Sequence, residues 1–97
     1  MYFTISNSYV NYSVSDIDEK ELVLEKIFVD ENERKQGIGT KLVKHVIQYA
    51  KEHDFETVGL YVCSDGEMND EQLIEWYSSL GFESDGDDDC LMTYRIF

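Results

Sequence analysis

Gly37 and Gly39 bracket the start of a helical pattern, with Arg34 and Lys35 just before them and Lys41 and Lys44 just after. Those four basic residues, out of only 8 Lys and Arg in the chain, lie in one short stretch. A glycine lacks Cβ, so a ligand can approach its backbone closely. The first amides of a helix have no intrahelical acceptor, and the helix dipole adds positive potential there. The chemistry this predicts is anion binding, with a phosphate or pyrophosphate held by backbone amides from Lys35 through Gln36, Gly37, Ile38 and Gly39 to Thr40. A glycine-rich turn without a ligand, followed by a solvated basic helix face, is the simpler alternative on these residues alone. Two other phosphate loops do not fit. A dinucleotide loop needs three glycines in fixed spacing, and a P-loop needs lysine before the Ser or Thr, whereas here the order is Gly39-Thr40-Lys41.

Other reactive side chains offer less. His45 and His53 sit eight apart on one helix with no ligand partners in spacing, so no metal site is expected. Cys63 and Cys90 make no disulfide framework and read as thiols of a reducing cytoplasm. Nucleophilic chemistry at Cys63 is a weaker reading than a buried thiol, because no His or Lys adjoins it to activate it.

The elements that must position these residues are legible from periodicity. Tyr2–Ile5, Tyr9–Val14 and Glu21–Val29 read as strands separated by turns at Asn7-Ser8 and Asp16–Lys20. Ile38, Leu42, Val43, Val46, Ile47 and Ala50 recur at helical spacing and predict a helix to Glu52 or His53. Thr57–Val62 is a buried strand. A second helix starts at Asn69 or Asp70, carries Leu73, Ile74, Tyr77 and Leu80 on one side, and stops at Gly81. A hairpin closes the chain from Phe82, turning through the acidic run Asp85–Asp89 and returning over Cys90–Ile96. The expected fold is a single α/β domain over residues 1–97. It has a mixed, mostly antiparallel sheet of about six strands and two main helices.

Composition narrows the partners. The net charge of -13 opposes nucleic-acid and anionic-membrane binding, both of which depend on Lys and Arg. It favours cationic or amine-bearing partners, although solubility alone also accounts for it. No apolar run approaches a membrane span, and the first residues show no signal-peptide pattern.

Arg34-x-x-Gly37-x-Gly39, following Ile27-Phe28-Val29, resembles the acetyl-CoA loop of the GNAT superfamily of N-acetyltransferases. Leu73-Ile74-Glu75-Trp76-Tyr77-Ser78-Ser79-Leu80-Gly81-Phe82 resembles that family's second signature, a helix ending in Tyr-x-x-x-Gly-Phe. A helix and a strand separate the two, as the family requires. The short length, the Tyr9–Val14 strand and the acidic tail before Leu91-Met92 further resemble very small phage-borne members that act as type V anti-CRISPR acetyltransferases.

The resemblance implies acetyl-CoA as co-substrate, with no metal. It implies that the Ile27, Phe28 and Val29 backbone holds the pantetheine arm and that Arg34 to Thr40 hold the pyrophosphate. Tyr77 is implied as the general acid that protonates the leaving thiolate; a phenol buried in the core is the plain alternative. The family often places a basic Glu on the central strand, where this chain has Val23. Glu25 and Glu21 lie on the same strand face as Val23, and Glu25 is the candidate base, with a water chain as the other route. Asp70 stands where the family often has a cofactor-touching Asn, and an N-cap role competes for it. Most members place two helices between their first strands. Here only three residues separate Ile5 from Tyr9, so an open acceptor face is expected. That suits a lysine on a protein, which the resemblance extends to a CRISPR effector nuclease in a host bacterial cytoplasm. The acting unit would be a monomer or a homodimer. Acetylation of a small amine (a polyamine or aminoglycoside) and a non-catalytic acidic DNA mimic are the competing functions.

Overall fold

A computed structural model describes residues 1–30, 32, 37–62, 69–84 and 90–96. Its strands are β1 (Tyr2–Ile5), β2 (Ser8–Val14), β3 (Glu21–Phe28), β4 (Thr57–Tyr61), β5 (Glu83–Ser84) and β6 (Leu91–Arg95), and its helices are α1 (Ile38–Glu52) and α2 (Asp70–Ser79). The expected order of elements holds. Strand ends differ by a residue: β2 starts at Ser8, β3 stops at Phe28 before Val29, and β4 stops at Tyr61 before Val62.

The six strands form one sheet in the order β1-β2-β3-β4-β6-β5. Only β3 and β4 pair in parallel, and α1 makes the crossover between them. A two-residue turn links β1 to β2, with Ser6 in the left-handed region at φ 55. No helix intervenes there, as the short spacing predicts.

The pairing registers sort the side chains into two faces. Val10 and Tyr12 of β2, Leu22 and Leu24 of β3, Val58 and Leu60 of β4 and Met92 of β6 are buried on one face. Against it α1 lays Leu42, Val43, Val46, Ile47 and Ala50 over β1 to β4. α2 reaches the same core through Tyr77, whose ring meets Phe82 edge-on at 5.6 Å; Phe82 in turn meets Tyr94 at 5.5 Å. Both helices therefore cover one face. The other face carries Tyr2 at 70% exposure and Tyr61 at 65%, with Phe28 also exposed.

α2 is capped in both directions. The Gln72 amide donates to Asn69 Oδ1 at 2.9 Å, and the Asn69 amide donates to Gln72 Oε1 at 3.0 Å, a reciprocal box that satisfies two end donors. Asn69 is thus the N-cap, and Asp70 is the first helical residue, with its carboxylate at the positive end of the helix. At the other end Gly81 adopts φ 106, and a Cβ there would lie 2.8 Å from Tyr94 Cε2. Both conformation and space demand glycine. Gly81→Ala is expected to destabilise the fold by about 1–3 kcal/mol, read as a lowered urea midpoint at unchanged slope.

Candidate functional site

The site grows from a fork in the sheet. Parallel pairing between β3 and β4 runs from Glu21↔Thr57 to Leu24↔Leu60 and ends there. β3 continues to Phe28, still paired with β2. The ladder between β2 and β3 contains a bulge: Asn11 pairs with Lys26, Tyr12 pairs with Leu24, and Glu25 is left over. A bulge bends and twists the strand that bears it. Here it falls on the residue after the last parallel pair, and β4 itself ends at Tyr61, so β3 runs on past β4 beside β2 alone. Ile27, opposite Val10, returns to the core face, while Glu25 and Lys26 both project to the exposed one.

The start of α1 lies beyond the far end of β3. Asp30 donates its amide to Ser8 Oγ at 2.9 Å, which ties the chain leaving β3 to the buried start of β2. Gly37 precedes the helix in the left-handed region at φ 77, and among the described residues nothing lies within 4 Å of where its Cβ would be. Its glycine is favoured by conformation, and the described residues leave space over the helix start. Gly39 also meets a steric demand that its spacing does not show. A Cβ on it would meet Trp76 Cζ2 at 3.3 Å and Val29 Cγ2 at 3.4 Å. Its missing side chain makes room for α2 and the end of β3. One contact thus joins the two sequence signatures, through Trp76, the neighbour of Tyr77.

Tyr77 is only 5% exposed, with its ring against Trp76 and Phe82. Glu25 is exposed at the fork. Ser13 Oγ donates to its Oε1 at 2.8 Å, and Asn11 Nδ2 donates to its Oε2 at 3.2 Å. Glu21 lies farther back on the same face, its carboxylate over Gly59 and accepting from Thr57 Oγ1 at 3.4 Å. Asp70 is exposed at the start of α2. Ile27, Phe28 and Val29 lie on the branch of the fork, and Ile38, Gly39 and Thr40 form the first turn of α1. Arg34, Lys35, Gln36 and Cys63 fall outside the described residues. Among the described residues, no group of three His, Cys, Asp or Glu is placed to hold a metal ion, and no helix is long and apolar enough to cross a membrane.

Three features escaped the sequence reading. The bulge has no residue signature, because Glu25-Lys26 fits an uninterrupted strand equally well. The bonds from Asn11 and Ser13 depend on the register that the bulge sets. His45, which is not one of the apolar positions of α1, stacks on Phe3 at 3.6 Å between ring centroids, 7° from parallel, and its Nε2 lies 3.1 Å from the Tyr12 hydroxyl. The row Phe3, Tyr12, Tyr49 is the signal that a half-apolar ring belongs there.

Burial pushes the His45 imidazole below its usual range, and Glu52 opposes this weakly. The unfolded chain then binds the proton at a pH where the folded chain has shed it. The stability His45 contributes is present above about pH 6.5 and is lost as the pH falls through that value toward its lowered folded pKa. Wild type is therefore expected to lose stability more steeply than His45→Gln between about pH 7 and pH 5. Urea titrations of both proteins across that window check this, and equal slopes would clear His45 of the effect.

Residues 5–82 match the Acetyltransferase (GNAT) family. An uncharacterized N-acetyltransferase of Methanocaldococcus jannaschii is 38% identical over 71 residues, which cover 72% of this chain and 30% of that protein. This chain therefore spans less than a third of that curated relative. The crystal structure of the anti-CRISPR protein AcrVA5 superposes with a TM-score of 0.82 at 33% identity, over 97% of this chain and 96% of that one. The PaiA N-acetyltransferase of Thermoplasma acidophilum, solved with coenzyme A, shares the fold with a TM-score of 0.69 at 16% identity, over 91% of this chain and 52% of that one.

Proposed function

Because this chain belongs to the GNAT acetyltransferase family, we propose that it transfers the acetyl group of acetyl-CoA to a lysine on a partner protein. The observation that carries the reading is the fork: parallel pairing ends at Leu24↔Leu60, and the glycine-led start of α1 lies beyond the diverging strand. Backbone groups of Ile27, Phe28 and Val29 would hold the pantetheine arm in the opening. The amides of Ile38, Gly39 and Thr40, with Lys35, Gln36 and Gly37 before them, would take the pyrophosphate, and Arg34 would add charge. The open space over Gly37 fits an anion seated there. Asp70, exposed at the start of α2, would border the cofactor from that side.

The chemistry follows from the groups beside the fork. The acceptor arrives as an ammonium and gives a proton to the Glu25 carboxylate. The free amine attacks the thioester carbonyl, forming the C–N bond as the C–S bond breaks. The Tyr77 phenol protonates the departing thiolate, and the tyrosinate then takes the surplus proton from the new amide nitrogen. Glu25 releases its proton to solvent. The net change is one ammonium and one thioester giving one amide, one thiol and one proton.

A protein acceptor is favoured over a small amine by the two-residue turn between β1 and β2. It leaves the face opposite the helices without the walls that enclose a small ligand. The likeness to an anti-CRISPR protein over nearly the whole chain supports a CRISPR effector nuclease as that acceptor, acting in a bacterial cytoplasm.

Purified protein with acetyl-CoA and candidate acceptors should release free thiol and add an acetyl mass to a protein lysine. A shift confined to small amines would replace the acceptor class. Inhibition of a nuclease that survives omission of acetyl-CoA would favour an acidic mimic without chemistry. Tyr77→Phe is expected to slow turnover by about 100-fold while CoA binding, measured by calorimetry, stays within about twofold. Unchanged turnover would remove Tyr77 from the mechanism.

A further inference from the structure

The Glu25 carboxylate is held in an unusual way for an exposed acid. Both its oxygens accept hydrogen bonds from neutral side chains of the neighbouring strand: Ser13 Oγ at 2.8 Å on Oε1 and Asn11 Nδ2 at 3.2 Å on Oε2. Among the described residues no cation pairs with it, although Lys26 is next in sequence and projects to the same face. Two donors on opposite oxygens fix the plane of the carboxylate, which a single bond would leave free to rotate. They occupy only part of its acceptor capacity, so a lone pair remains for an incoming N–H.

The arrangement exists because of the bulge. Asn11 and Ser13 lie on the exposed face of β2, on either side of the register shift. The surplus Glu25 is therefore flanked by both in place of pairing with either. Asn11 is itself steadied, since its Oδ1 lies 3.4 Å from the Met1 amine. The result is a rigid carboxylate, uncompensated by any described cation, at the mouth of the fork.

We propose that Asn11 and Ser13 are positioning residues that aim the Glu25 carboxylate at the acceptor ammonium. This rests on the acetyltransferase reading above. A base accelerates proton removal only when held within hydrogen-bond reach of its proton in a productive geometry. Asn11 and Ser13 supply that geometry from β2, the strand beside β3. Their effect therefore runs through Glu25 and vanishes without it.

The test is a double-mutant cycle on acetyl transfer to a lysine-bearing acceptor protein, with kcat and the KM for acetyl-CoA measured separately. Ser13→Ala should lower kcat by about tenfold, the scale of one hydrogen bond to a charged group, with the KM for acetyl-CoA within about twofold. Ser13→Thr, which keeps the hydroxyl, should restore most of that loss. Asn11→Asp, which replaces the donating amide with a second carboxylate of the same shape, should lower kcat at least as far. Combined with Glu25→Gln, neither substitution should lower kcat further, because the group they position has gone. Thermal midpoints recorded alongside keep folding effects apart. Equal losses in the presence and absence of Glu25 would overturn the inference, as would unchanged kcat in both single variants. Should the wild-type chain acetylate no amine at all, the acetyltransferase reading fails and takes this inference with it; an active wild type with additive losses removes this inference alone.

Discussion

Glu25 is one residue more than the ladder between β2 and β3 can pair, and the rest of the site depends on that surplus. β3 must satisfy two partners with different demands. On one side β4 runs parallel to it as far as Leu24↔Leu60; on the other β2 runs antiparallel along its whole length. β4 ends at Tyr61, so beyond Leu24 β3 runs on beside β2 alone and an opening is left. Glu25, inserted just beyond the last parallel pair, adds a bend and twist to β3 at that point. The same insertion restores Ile27 to the core opposite Val10, so the diverging arm stays anchored. The opening therefore costs the sheet one pairing while the core stays closed.

Periodicity carried the elements because burial is what periodicity records. The six apolar positions of α1 are the six the structure buries, and the alternation of β2 is the alternation of its two faces. The two glycines at the start of α1 were legible as special, but their reasons were not separable. Conformation explains Gly37, and a neighbour two elements on explains Gly39. No local pattern could show that Trp76 would lie there. The likeness to the acetyltransferase signatures supplied the pairing of the two segments that spacing alone left unconnected. The bulge stayed hidden because an inserted residue in a strand changes the register of everything after it while leaving composition untouched. The seat of His45 stayed hidden for a related reason. An imidazole has an apolar face and a polar edge, and only the third dimension shows that Phe3 takes the first and Tyr12 the second.

The arrangement of layers explains how so short a chain keeps a working opening. Both helices cover one face, so a single core formed by residues from every strand but β5 and from both helices holds the sheet. The uncovered face then needs no packing of its own. It carries aromatic rings at the edge, with Tyr2 and Tyr9 5.9 Å apart and Tyr9 and Phe28 5.5 Å apart, and carboxylates nearer the centre. Relatives with additional helices would enclose that surface. On the reading proposed above, a protein acceptor's own surface would supply that wall, which would couple its recognition to completion of the site.

The contact between Gly39 and Trp76 reaches into the protein's history. It joins a position in the first turn of one helix to a position in the middle of another, and a Cβ at 39 would press on the Trp76 ring at 3.3 Å. A lineage that gains a side chain at 39 must shift or trim the group at 76. Homologous sequences should therefore carry the two positions as a volume-matched pair, small with large or medium with medium. Such paired drift would trace the joint between the two signatures in sequence alone.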